Sequence, residues 1–93
     1  MRLSPNQVQV IRSCVRRFDP EAKIALFGSR ANDQARGGDI DLLCLSKAID
    51  RASRRRLRVE LLKALGDQKI DLIIAPNSQS PFVQLILPES VEL

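Results

Sequence analysis

The run Gly37-Gly38-Asp39-Ile40-Asp41-Leu42 limits what this chain can fold into more than any other feature. In a strand, side chains two apart share a face, so Asp39 and Asp41 project together while Ile40 and Leu42 turn towards a core. Acidic residues are depleted in strands, and two like charges on one face repel each other unless a cation lies between them. The pair therefore reads as a metal site carried on a sheet, in preference to polar residues on a solvent-facing strand. Magnesium suits it. Mg²⁺ takes one or two carboxylates together with substrate phosphate oxygens and water at roughly 2.0–2.1 Å, and two such ions roughly 4 Å apart can hold both oxygens of an in-line displacement.

The residues just upstream fit the same chemistry. Gly28-Ser29 directly follows the apolar, strand-like stretch Lys23–Phe27, where a chain turning into a helix exposes unpaired N–H groups to an anion. Asn32 to Gly38 reads as a loop or a short helix, and its closing glycines, Gly37 and Gly38, let the backbone approach metal-bound phosphates. Arg30 and Arg36 are within reach of a triphosphate, with a solvated arginine as the equal alternative. Taken together, the segment reads as a phosphoryl or nucleotidyl transfer site.

Around it, helix and strand patterns alternate. Ser4-Pro5 is a helix start, with serine as N-cap and proline at the first helical position, and Val8, Ile11, Val15 and Phe18 recur at helical spacing. A first helix is predicted from Pro5 to about Phe18, stopped by Asp19-Pro20 because the residue before proline is pushed out of the helical region. Strands are predicted over residues 23–27, 39–45 and 69–75. Between the last two, Asp50 or Ser53 can cap a helix that runs to Leu65, with Leu57, Leu61 and Leu65 inward and Gly66 as its stop. On the third strand Asp71 shares a face with Lys69 and Ile73, opposite Ile70, Leu72 and Ile74. Pro76 to Ser80 is a turn, and Pro81 to Leu87 suits a short helix or a strand, ended by Pro88. The alternation predicts an α/β fold: a small mixed sheet flanked by helices, with the site at one edge of the sheet.

At 93 residues and 44% hydrophobic, one domain over residues 1–93 can bury a modest core, with no room for a second. Surfaces that hold a base or an acceptor must then come from another chain. Cys14 and Cys44 show no paired spacing, and neither a signal-like start nor a long apolar run is present, so a reduced, cytoplasmic setting without a membrane is expected. The chain contains no His, Tyr, Trp or Thr. That excludes Ser-His and Cys-His nucleophilic centres and His-containing zinc sites within it. A hydroxyl that accepts a nucleotide must be a serine of this chain or belong to another molecule.

Gly28-Ser29, then Gly38-Asp39-Ile40-Asp41-Leu42, then the lone carboxylate of Lys69-Ile70-Asp71-Leu72-Ile73, resemble the Gly-Ser, Asp-x-Asp and third-Asp signature of the DNA polymerase beta superfamily, in its minimal nucleotidyltransferase branch. The resemblance runs from about Lys23 to the C-terminus. It implies a polymerase beta-like nucleotidyltransferase fold and Mg²⁺-dependent transfer of a nucleoside monophosphate, AMP from ATP, with pyrophosphate leaving. By the same resemblance, Asp39, Asp41 and Asp71 are the metal-binding and catalytic carboxylates, with Asp71 as general base, and Gly28, Ser29, Arg30 and Gly38 meet the nucleotide. Asp71 read by itself is an ordinary surface residue. Small proteins of this kind resemble the antitoxins of MNT/HEPN toxin–antitoxin pairs, which implies a helical HEPN-type ribonuclease as partner and acceptor.

Arg54-Arg55-Arg56, with Arg51 and Arg58, lie on the outer side of the second helix. A solvated face ranks first for them, a partner contact second, and nucleic acid third, because no aromatic residues are interleaved. Two other functions remain beside the enzyme: a non-catalytic antitoxin of the same fold that acts by occlusion, and a nucleic-acid-binding protein.

Overall fold

A computed structural model describes residues 3–31, 39–66 and 68–93. Helix α1 covers Pro5–Phe18. The Ser4 hydroxyl accepts a hydrogen bond from the Gln7 N–H (3.1 Å), and the Gln7 side-chain oxygen accepts one from the Ser4 N–H (2.9 Å). Together these form a capping box that contributes on the order of 1 kcal/mol. Ile11, Cys14 and Val15 are buried, and the helix ends at Asp19. Asp19 does more than stop the helix. Its buried carboxylate accepts from the Glu21 N–H (2.9 Å) and from the Ser46 hydroxyl (2.5 Å), and Ser46 Oγ in turn accepts from the Ala48 and Ile49 N–H groups (3.1 Å each). That chain of bonds ties the end of α1 to the loop after the second strand.

Strands β1 (Lys23–Phe27), β2 (Ile40–Leu45) and β3 (Ile70–Ala75) lie within a residue of the predicted bounds. Helix α2 (Arg51–Leu65) is capped by Asp50, whose carboxylate accepts from the Ser53 N–H at 2.8 Å, so Ser53 is not the cap. Leu57 and Leu61 are fully buried, and Gly66 ends the helix at φ 79°. Pro81–Ile86 forms a helix, α3, in preference to a strand, with Ser80 Oγ accepting from the Val83 N–H. Pro88 does not stop the turning of the chain. It lies in a 3-10 turn, Leu87–Glu89, near the start, where its missing N–H is not needed.

A fourth strand, β4 (Val91–Glu92), pairs antiparallel with β1 and was not legible in the sequence. The order is β3-β2-β1-β4, with β2 and β3 parallel and β1 antiparallel to both its neighbours, which makes the sheet mixed as expected. Helices α1 and α2 cover one face, over a core that includes Leu26, Ile40, Leu42, Ile70 and Leu72. The other face is only partly covered, where α3 and its Val83 pack on Ala25, Leu43 and Ala75.

Register follows from this burial. Ile40, Leu42, Ile70 and Leu72 are almost wholly excluded from solvent, each contributing about 1.5–3 kcal/mol. A slip by one residue would drive Asp39, Asp41 and Asp71 into that core instead. The apolar half of each strand thus holds the acidic half in place.

One expectation about the arginine cluster is corrected. Arg54 is half-buried, and its Nε and Nη2 both donate to the Leu72 carbonyl, at 3.1 and 2.8 Å, so it belongs to the packing of α2 on the outer strand β3. Arg51, Arg55, Arg56 and Arg58 are exposed, as expected. Among the described residues, no helix is long and apolar enough to cross a membrane.

Candidate active site

Parallel pairing of β2 with β3 places Asp41 directly beside Asp71, and the Ile40 N–H donates to the Lys69 carbonyl at 2.9 Å to fix that register. Both side chains alternate with buried Ile and Leu, so both point to the sheet face that α1 and α2 leave uncovered. Asp39, just before β2, points the same way. Ligand oxygens of Asp39, Asp41 and Asp71 all lie within 4.8 Å of one another, with Asp39 and Asp41 half-buried and Asp71 exposed. The cluster lies at the starts of β2 and β3, and β3 is the outer strand of the sheet.

β1 brings the third component. Phe27 pairs with Asp41, and Gly28 then opens a 3-10 turn, Gly28–Ala31. Gly28 has φ 73°, a left-handed conformation, and a Cβ built on it would fall 3.0 Å from Asp41 Cγ and closer still to Oδ2. The glycine makes room for the Asp41 carboxylate. Ser29 is the second residue of this turn. Arg30 is half-buried, and its Nη2 donates to the Gln68 side-chain oxygen at 3.0 Å, which anchors the turn to the segment before β3. Gly38, like Gly37 and Arg36, lies outside the described residues.

Two neighbours of the site were not singled out from the sequence. Lys69 Nζ lies 3.6 Å from Asp39 Oδ2. Its signal was the two-residue spacing that gives it the same face as Asp71. Gln68 carried no signal, because its partner Arg30 is distant in sequence.

Three carboxylates this close hold their charges at a cost. The Asp41 carboxyl is pushed up to about 6, first by burial, then by a hydrogen bond with the Asp71 carboxyl and by the negative charges of Asp71 and Asp39, while Lys69 pulls the other way. A cation removes that cost. The donors are all carboxylate oxygens, which fits a hard divalent ion such as Mg²⁺.

A pH dependence follows. Because Asp41 titrates near 6 when folded and near its ordinary 3.8 when unfolded, its contribution to stability is fully present below about pH 3.8 and is lost as pH rises through about 6. In chelator, Tm is therefore expected to fall between about pH 4 and about pH 6 and to level off above that, and Mg²⁺ is expected to restore it at the upper end. Asp41→Asn should remove this part of the slope. A wild-type Tm that is flat over the interval in chelator would count against the cluster as described.

Comparison with known proteins adds family-level information. The family model described as "Nucleotidyltransferase domain" matches residues 8–91. Among solved structures, the chain is similar to one described as "Crystal structure the toxin-antitoxin MntA-HpeT mutant-D39ED41E", with 26% identity, 94% of this chain and 71% of that chain covered, and a TM-score of 0.72. Comparison with curated proteins gives no match.

Proposed function

The chain belongs to the nucleotidyltransferase domain family, and from that premise we propose that it transfers AMP from ATP, with Mg²⁺, to a hydroxyl of a HEPN-type toxin and so acts as that toxin's antitoxin. The observation that carries this reading is the convergence of Asp39, Asp41 and Asp71 on one sheet face beside the Gly28 turn. Similarity to a toxin–antitoxin structure supports the biological setting. Two buried, free cysteines fit a reducing cytoplasm.

In this mechanism Asp39, Asp41 and Asp71 hold the magnesium, which supplies charge neutralisation for the triphosphate. Gly28, Ser29 and the adjoining backbone hold the β- and γ-phosphates, with Arg30 and Gly38 beside them. Asp71 is the most exposed of the three carboxylates and lies on the outer strand, so an acceptor hydroxyl can reach it. It takes the hydroxyl proton as the acceptor oxygen bonds to the α-phosphorus, and the bond from that phosphorus to the β-phosphate oxygen breaks to release pyrophosphate. Alignment and charge neutralisation do most of the work.

The chain offers serines but no tyrosine or threonine to modify, and in this reading the acceptor is a tyrosine hydroxyl of the partner. One added AMP brings negative charge and bulk to a cleft that must bind RNA phosphate, which disfavours the substrate. The test is to incubate the purified pair with ATP and Mg²⁺ and to measure partner mass and ribonuclease activity. A gain of one or more AMP units with loss of ribonuclease activity is expected. An unmodified partner, inhibited equally by wild type and by an Asp39→Asn, Asp41→Asn variant, would replace transfer with occlusion.

A further inference from the structure

Charge is unevenly divided between the two faces of the molecule. Helices α1 and α2 hold nine of the chain's fifteen Lys and Arg but one of its eleven Asp and Glu. The carboxylate cluster occupies the opposite face of the sheet. Between the end of α1 and the outer side of α2 runs an open groove of about 700 Å³, lined by Arg17, Phe18, Arg55, Arg56, Val59 and Glu60 among others. Its floor is apolar: Phe18 is half-buried, and Val59 is 48% exposed. Its rim is basic, with Arg17 paired to Glu60 at 3.4 Å and the Arg56 guanidinium 5.9 Å from the centre of the Phe18 ring.

We infer that this groove docks an acidic amphipathic segment of a partner protein, its carboxylates on Arg55 and Arg56 and its apolar side chains over Phe18 and Val59. Charge complementarity selects an anionic occupant, since the helical layer is far more basic than the chain as a whole. The apolar floor selects a peptide over a nucleic acid. A phosphate backbone offers no group to cover Val59, and Phe18 is a single, half-buried ring with no second aromatic residue among the lining residues described, so successive bases find no stacking platform in the groove. A segment seated there leaves the carboxylate face open, and the inference does not depend on the proposed transfer reaction.

The probe is a fluorescein-labelled peptide with Leu and Glu at helical spacing. It is compared by anisotropy with a twin carrying Gln for every Glu and with a labelled single-stranded RNA, all without nucleotide or metal. The acidic peptide is expected to bind the full chain about tenfold or more tighter than its Gln twin at low salt, with the advantage shrinking as salt is raised. Joint Arg55→Glu and Arg56→Glu should weaken binding about tenfold or more. Val59→Ser, which removes apolar floor without changing charge, should weaken it about threefold or more. These side chains are exposed, and circular dichroism checks that both variants keep their fold. Unchanged affinity in both variants, or RNA bound more tightly than the acidic peptide, would overturn the assignment.

Discussion

Joint replacement of Asp39 and Asp41 by Asn is expected to lower nucleotidyl transfer by about 10³-fold or more, because it removes two of the three charges proposed to hold the cation. The same variant should be no less stable than wild type in chelator, since burial first, and then the hydrogen bond with Asp71 and the charges of Asp71 and Asp39, raise the Asp41 carboxyl to about 6, and a neutral amide does not carry the cost of a charge held there. Loss of activity with preserved or increased Tm separates a broken site from a broken fold. Single-turnover transfer assays, Mg²⁺ titration by calorimetry and thermal melts provide the readouts. Turnover within tenfold of wild type would remove these carboxylates from the mechanism.

Gly28→Ala is expected to be nearly as damaging to catalysis, for a steric reason. The new methyl group meets the Asp41 carboxylate, and of the two it is the carboxylate that can rotate away. Displacement of a catalytic group by about 1 Å can cost roughly 10²-fold in rate. Strain at the left-handed backbone adds a stability loss of roughly 1–2 kcal/mol. Gly66 provides the control, because it shares a positive φ, 79°, but has nothing within 4 Å of a built Cβ. Gly66→Ala should therefore lose stability through its backbone alone and keep full transfer activity. Equal activity of the two variants would show that Gly28 serves the backbone alone.

Local rules made much of this fold legible. Ser4 and Pro5 placed the start of α1, and alternation placed Ile40 and Leu42 against the core with Asp39 and Asp41 away from it, because each depends on residues a few positions apart. What escaped were contacts made across the chain. β4 is two residues long and gains its identity only by pairing with β1. Asp19 was legible as a helix stop, but its bond to Ser46 required knowing that the end of α1 meets the end of β2. Gly28 was expected to meet the nucleotide, while its clearance of Asp41 depends on the β1–β2 register and carried no signal in the sequence. Arg54 shared a run with Arg55 and Arg56, and only the placement of β3 at the outside of the sheet distinguishes it.

That placement of Arg54 has a consequence for assembly. At the two ends of β3, the carbonyls of Lys69 and Ala75 accept from the Ile40 and Ser46 N–H groups on the β2 side, so by alternation the carbonyl of Leu72 faces outward from the sheet. Outward carbonyls on an outer strand are templates for strand addition by another chain, the usual beginning of sheet-mediated aggregation. A guanidinium already fills this one with two hydrogen bonds, in the middle of the strand. An incoming strand would have to strip a charged donor before it could pair. Growth of the sheet from this side is thereby disfavoured, and the spacing of the carboxylates on β2 and β3 is insulated from whatever else the molecule binds.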